Sequence, residues 1–242
     1  MRYGIFSDVH SNLEALDAVI TAYQQENIDQ YLCGGDIVGY GANPKECIVK
    51  IKSLAQVTVA GNHDWASVDL FPVDYFNPDA AAAVAWTMDR LDAEDRQYLM
   101  SLQLVFKNRH LTLVHGTPEV PGAFHYMTDE HAARKTFTVL STDICFVGHS
   151  HRAGIFVKDK HGRLSYHKDP AVTIAEFKKY IVNVGSVGQP RDSDPHAAYC
   201  VYDTEARQLE IKRIPYDTET TREKIIDAGL PKFLGDRLLL GK

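Results

Sequence analysis

The sequence predicts an α/β fold in which an early parallel β-sheet is followed by a second sheet of closely spaced antiparallel strands. Three observations carry this. Short apolar runs alternate with helical periodicities over the first third of the chain. Each early apolar run stops at a glycine or a small polar cluster. Beyond residue 150 the helical periodicity gives way to short strands separated by turns. Strands alternating with helices imply a parallel sheet, whereas strands joined by short connections are antiparallel.

Taken in order, Tyr3–Phe6 reads as a buried strand ending in Ser7-Asp8-Val9-His10-Ser11-Asn12. A helix starts near Asn12, with Leu13, Leu16, Ala18, Val19 and Tyr23 roughly on one face. Tyr31–Cys33 is a second strand running into Gly34-Gly35-Asp36, and Pro44–Leu54 a second helix. Val57–Ala60 is a third strand running into Gly61-Asn62-His63-Asp64. Asp79 is placed to cap a helix through Arg90, and Asp92 with Asp95 resembles a capping box for the next. Leu111–Val114 is a strand ending in His115-Gly116, Thr117–Tyr126 a loop, and Asp129 the cap of a helix to about Val139. Ile144–Val147 is a strand ending in Gly148-His149-Ser150-His151. Short strands follow at about 153–158, 164–167, 173–177, 180–184, 198–203 and 208–214, then a helix from Thr218 and a short one after Pro231.

The 242 residues show no repeat and no linker, and are expected to form one domain, 1–242. A hydrophobic content of 45% with 24% charged residues fits a globular core. The net charge of −6 disfavours a nucleic-acid polymer as partner, because such binding relies on a Lys/Arg groove. The longest apolar stretch, Ala80–Trp86, is too short to span a bilayer, and no signal peptide is evident, so a cytoplasmic protein is expected. Cys33, Cys47, Cys145 and Cys200 form no CxxC pair and read as buried packing thiols.

The chemistry lies in five strand-end motifs: Asp8-Val9-His10, Gly35-Asp36, Gly61-Asn62-His63-Asp64, His115-Gly116 and Gly148-His149-Ser150-His151. Singly, each reads as a turn, a cap or a structural histidine. In a parallel sheet, however, the carboxyl ends of the strands share one edge. Carboxylates and imidazoles collected there without partners are expensive to desolvate. Two divalent cations remove that penalty. Oxygen and imidazole donors without thiolate suit Mn, Fe, Zn, Ni or Co.

The ordered set D-x-H, G-D, G-N-H-D, H-G and G-H-x-H resembles the calcineurin-like metallophosphoesterase superfamily, and its motifs run from Asp8 to His151. Asn183–Asp192 also resembles a stretch of that superfamily's bacterial and archaeal members. The resemblance implies two packed mixed β-sheets flanked by helices, a four-layer αββα sandwich. It implies that Asp8, His10, Asp36 and His151 bind one metal ion and Asp36, Asn62, His115 and His149 a second, with Asp36 bridging. His63 would be the catalytic histidine, not a ligand. In such a centre two cations polarise the phosphoryl oxygens and acidify the attacking water. The implied activity is hydrolysis of phosphate esters, foremost phosphodiesters or small nucleotide-like phosphates. Dinucleoside polyphosphate hydrolysis, protein phosphatase activity and a non-enzymatic scaffold are the alternatives.

The chain also departs from the protein phosphatases of that superfamily. Their Gly-Asp segment carries a further Asp and then Arg, and another Arg precedes Gly-Asn-His. Here Gly39 stands where the first Asp is expected, and Ala60 precedes Gly61. The partner that orients His63 is therefore open, with Asp64 adjacent in sequence. Arg191 is a candidate substrate contact, since a guanidinium matches phosphate oxygens in pairs; its alternative is an ion pair with Asp192 or Asp194. Arg152 follows His151 and is either a substrate contact or solvated. Tyr40, Trp65 and Phe124 with His125 fall in rim loops, where aromatic rings stack on a substrate or pack locally.

Overall fold

The opening alternation folds into β1 (Arg2–Phe6), α1 (Leu13–Tyr23), β2 (Gln30–Cys33), α2 (Pro44–Leu54) and β3 (Val57–Thr58). The computed structural model describes residues 1–242. β2 lies between β1 and β3, parallel to both. Asn12 starts α1 by accepting the Ala15 amide proton on its side chain, which satisfies one of the donors left open in a first turn. Ala15, Leu16, Val19 and Tyr23 then form the buried face. Pro44 opens α2, where its fixed φ is already helical. β3 is shorter than expected: Val59 makes one bridge to Gln103, and the chain turns at Gly61 into α3 (Asn62–Ala66).

Next come α4 (Pro78–Met88), α5 (Ala93–Ser101), β4 (Val105–Lys107), β5 (Thr112–Val114), α6 (Glu130–Val139) and β6 (Ile144–Val147). Asn77, not Asp79, caps α4, because Pro78 fixes the first turn one residue after it and the Asn77 side chain reaches the Ala80 amide. Asp92 and Asp95 form the reciprocal cap read for α5, and Asp129 caps α6. β4 escaped the sequence reading; it is a three-residue edge strand held only by β5.

The last third supplies β7 (Gly154–Lys158), β8 (Leu164–His167), β9 (Ala171–Thr173), β10 (Lys179–Asn183), β11 (Ala197–Asp203) and β12 (Gln208–Ile214). α7 (Thr218–Asp227), α8 (Lys232–Asp236) and a 3₁₀ turn at Arg237–Leu240 close the chain. The strand expected at 173–177 ends at Thr173. These strands do not form a sheet of their own, which corrects the expectation. One sheet runs β3-β2-β1-β11-β12-β9 and the other β4-β5-β6-β10-β7-β8. β11 pairs antiparallel with the free edge of β1, and β10 pairs parallel with the free edge of β6. Unpaired edges of the two parallel units thus capture the late strands, and both sheets become mixed.

The layering follows from strand alternation. Phe6 and Cys33 point toward Leu16, Val19, Ile48 and Ile51 of α1 and α2. Their neighbours Ile5 and Leu32 point the other way and pack with Leu113, Phe146 and Val182 of the second sheet. Cys145, Val147 and Ile181 then face Ala133 and Phe137 of α6. Helices, two face-to-face sheets and a helix follow in sequence, as the family resemblance implies. All four cysteines are free and buried. No helix is long and apolar enough to cross a membrane.

Candidate metal centre

All five motifs meet at one edge of the double sheet, beyond the carboxyl ends of β1, β2, β3, β5 and β6. The loops after β1 and β2 are zipped together: the amides of Asp8, His10 and Ser11 donate to the carbonyls of Gly35, Asp36 and Ile37 at 2.9, 2.9 and 2.8 Å. The loop after β10 closes on the same spot, with Gly188 N–H and Ser186 Oγ both donating to the Asp8 carbonyl. Asp8, His10, Asp36, His149 and His151 have φ between 50° and 64°. Each such non-glycine residue costs about 1–3 kcal/mol and persists only where surrounding contacts enforce it. Gly61 permits the closest approach, since a Cβ there would lie 2.0 Å from Asp36 Oδ1.

Ligand-type atoms of Asp8, His10, Asp36 and His151 lie within 4.8 Å of one another, as do those of Asp36, His115 and His149. Asp36 belongs to both groups, and every member is buried. Asn62 opens α3 beside them, with its buried Oδ1 lacking any partner.

The hydrogen bonds fix which nitrogens face inward. His10, His115 and His151 donate from Nδ1 to the carbonyls of Val38, Gly34 and Gln189 at 3.1, 2.8 and 2.6 Å. In a neutral ring the proton is then on Nδ1, so Nε2 presents a lone pair. Nε2 of His10 and His151 are 3.0 Å apart, and His115 Nε2 is 3.2 Å from Asp36 Oδ2. Asp36 Oδ2 and His115 Nε2 are also buried without a hydrogen-bond partner. Imidazole nitrogens and carboxylates converging this closely, with the His10 and His151 Nε2 lone pairs face to face, fit cations.

The charge states agree. Burial drives His10 well below the usual imidazole range, although Asp36 opposes it, and lowers His151 in the same way. Burial and neighbouring His115 push His149 down to about 3. Burial by itself would raise the Asp36 carboxyl, but His115 and His63 outweigh it and hold the group well below the carboxylate range. His115 goes the other way: burial is overcome by Asp36, which raises it to about 9. In the metal-free protein His115 is thus drawn toward protonation opposite Asp36 Oδ2.

His63 lies beside this group. Its backbone N–H donates to Asp36 Oδ1 at 2.9 Å, and its ring packs among Tyr40, Phe76 and His10, at 4.4, 4.7 and 4.8 Å between centroids. Burial lowers it to about 4. His63 Nδ1 is buried with no partner, and Gly39 is the reason: a Cβ on Gly39 would sit 2.4 Å from that nitrogen. Asp64 does not orient the ring. Its two oxygens accept the amides of Asp36, Ile37, Val38 and Gly61, so it organises the backbone beneath the centre.

Asp192 pairs with Arg213, and Asp194 lies 3.9 Å from the same guanidinium, so the alternative reading of Arg191 as their ion-pair partner does not hold. Arg191 instead donates to Gln189 Oε1 and lies 5.4 Å from the Tyr40 ring centre. Trp65 and Phe124 pack edge to face at 5.7 Å. Tyr126, which no motif singled out, stacks on His149 at 3.9 Å and 11°. Gln189 and Arg237 were also missed, the latter lying in the C-terminal 3₁₀ turn with no sequence signal around it.

Two mixed sheets carrying a buried Asp/His cluster suited to metal at their common edge define a metallophosphoesterase. The chain belongs to the calcineurin-like phosphoesterase superfamily, whose domain matches residues 1–207. A protein of Methanocaldococcus jannaschii is 40% identical over 98% of this chain and 97% of its own length. A metallophosphoesterase structure from Sphaerobacter thermophilus superposes with a TM-score of 0.89 at 38% identity, covering 100% of this chain and 99% of that one. A Pyrococcus horikoshii structure shares the fold, with a TM-score of 0.80 at 18% identity over 100% and 98% of the two chains.

Proposed function

We propose that this metallophosphoesterase hydrolyses phosphodiesters or small nucleotide-like phosphate esters. Asp8, His10, Asp36 and His151 would hold one divalent cation, and Asp36, Asn62, His115 and His149 the other. Mn, Fe, Zn, Ni and Co all suit that donor set. His63, a neutral ring in the metal-free protein, would turn its free ring edge to the substrate, where an N–H stabilises charge on the leaving oxygen, or gives it a proton if substrate binding protonates the ring.

The observation that carries the choice of substrate is that Tyr40 and Ala60 stand where the protein phosphatases of the superfamily carry arginines. Gly39 likewise stands where those enzymes carry an orienting Asp, and a Cβ there would meet the His63 ring. A phosphomonoester dianion therefore has fewer fixed partners than in those enzymes. A diester carries one charge less per phosphorus and relies more on the cations and His63.

The test compares bis-p-nitrophenyl phosphate with a phosphoserine peptide on the Mn²⁺-loaded protein and on Arg191→Ala. The diester should have the higher kcat/KM in the wild type, because that ratio reports discrimination at the transition state. Strong phosphopeptide turnover that survives loss of Arg191 overturns the proposal.

A further inference from the structure

Arg191 and Arg237 share one acceptor. Arg191 donates Nε and Nη2 to Gln189 Oε1 at 3.2 and 2.6 Å, and Arg237 donates Nη1 to the same oxygen at 3.1 Å. No Asp or Glu carboxylate lies within 4.0 Å of either guanidinium: Asp192 and Asp194 are turned to Arg213, and Arg237 Nε donates to the main-chain oxygen of Lys242. Asp79 acts on Arg237 only from further away. Two half-buried cations thus meet on one neutral oxygen. Burial, with Arg191 beside it, brings Arg237 down to about 10.

The pair is close to the reaction centre. Arg191 lies 5.4 Å from the Tyr40 ring, which is itself 4.4 Å from His63 and 4.5 Å from His10. Arg237 arrives from beyond residue 207, where the family match ends, so it is a feature of this chain's C-terminal turn.

We propose that Arg191 and Arg237 bind a second phosphate of the substrate, so that the preferred substrate is a small nucleotide-like molecule with a phosphoanhydride chain. This rests on the small-phosphate-ester reading above. Paired guanidiniums with N–H donors to spare match a phosphate through charge-assisted hydrogen bonds. An anion between them replaces the repulsion that the free protein tolerates, and Gln189 holds both side chains in place beforehand.

The experiment uses the Mn²⁺-loaded wild type, Arg237→Gln and Arg237→Lys. Two substrates are compared: the p-nitrophenyl ester of thymidine 5′-monophosphate and the γ-p-nitrophenyl ester of thymidine 5′-triphosphate. Arg237→Gln should lower the ratio of kcat/KM for the triphosphate ester over the monophosphate ester by roughly tenfold, mainly through KM, and Arg237→Lys should restore part of it. An unchanged ratio, including equal losses on both substrates, overturns the proposal. Should neither ester turn over, the small-ester reading fails while the subsite is still tested, by the thermal midpoint with inorganic tripolyphosphate. A rise in the wild type that Arg237→Gln loses supports the subsite. Equal shifts in both proteins, or none in either, overturn it.

Discussion

The Nε2 atoms of His10 and His151 lie 3.0 Å apart, and each ring has already committed its Nδ1 proton to a carbonyl. Two lone pairs at that separation repel unless a cation lies between or beside them. Gently purified or reconstituted protein should therefore hold two transition-metal ions per chain by elemental analysis. Chelation should lower the thermal midpoint by roughly 5–10 °C, as expected when tight sites are emptied. Full activity at one ion per chain is the result that removes the dimetal assignment.

Ligand and non-ligand separate by substitution. Asp36 belongs to both Asp/His groups, whereas His63 touches the centre only through its backbone amide and ring packing. Asp36→Asn should weaken retention of both ions. His63→Ala should retain metal and lose turnover by roughly a hundredfold or more, the usual scale for a proton donor or charge stabiliser. Loss of metal on removing His63 would show it to be a ligand.

Gly39 has a φ of 92°, and a Cβ there meets His63 Nδ1. Gly39→Ala should cost about 1–3 kcal/mol of stability for the backbone conformation alone. It should also displace the His63 ring, reducing kcat by roughly tenfold or more with metal content unchanged, since small misplacements are magnified in the transition state. Urea unfolding, elemental analysis and turnover measure the three effects. Wild-type turnover in this variant would show that the contact does not position the ring.

Asp64 receives four backbone N–H groups on two oxygens, at 2.8–3.2 Å. Asparagine puts its NH₂ against two of those donors and leaves them buried without acceptors. Asp64→Asn should therefore lose about 2–4 kcal/mol in denaturant unfolding. Metal affinity should fall with it, because the Asp36 amide is one of the four donors. A midpoint matching the wild type would mean that water or a backbone shift replaces the carboxylate.

The chain sequence by itself determined the early strands and helices and which residues end each strand, because apolar periodicity and turn chemistry are local. The convergence of Asp8, Asp36, Asn62, His115 and His149 was legible for the same reason: carboxyl ends of parallel strands share an edge whatever the sheet's remaining partners are. Tertiary structure decided the rest. β11 pairs with β1 and β10 with β6 because those edges were open, a fact no spacing between strands contains. β4 is three residues long and visible only through its ladder with β5. Asp64 stands next to His63 in sequence yet turns to four backbone amides, since side-chain direction depends on the loop that encloses it. Arg191 has no ion pair with the adjacent Asp192, because Arg213 of β12 takes that carboxylate. Arg237 reaches Gln189 across 48 positions of chain, a meeting set by where the C-terminal turn docks and by nothing in the residues beside it.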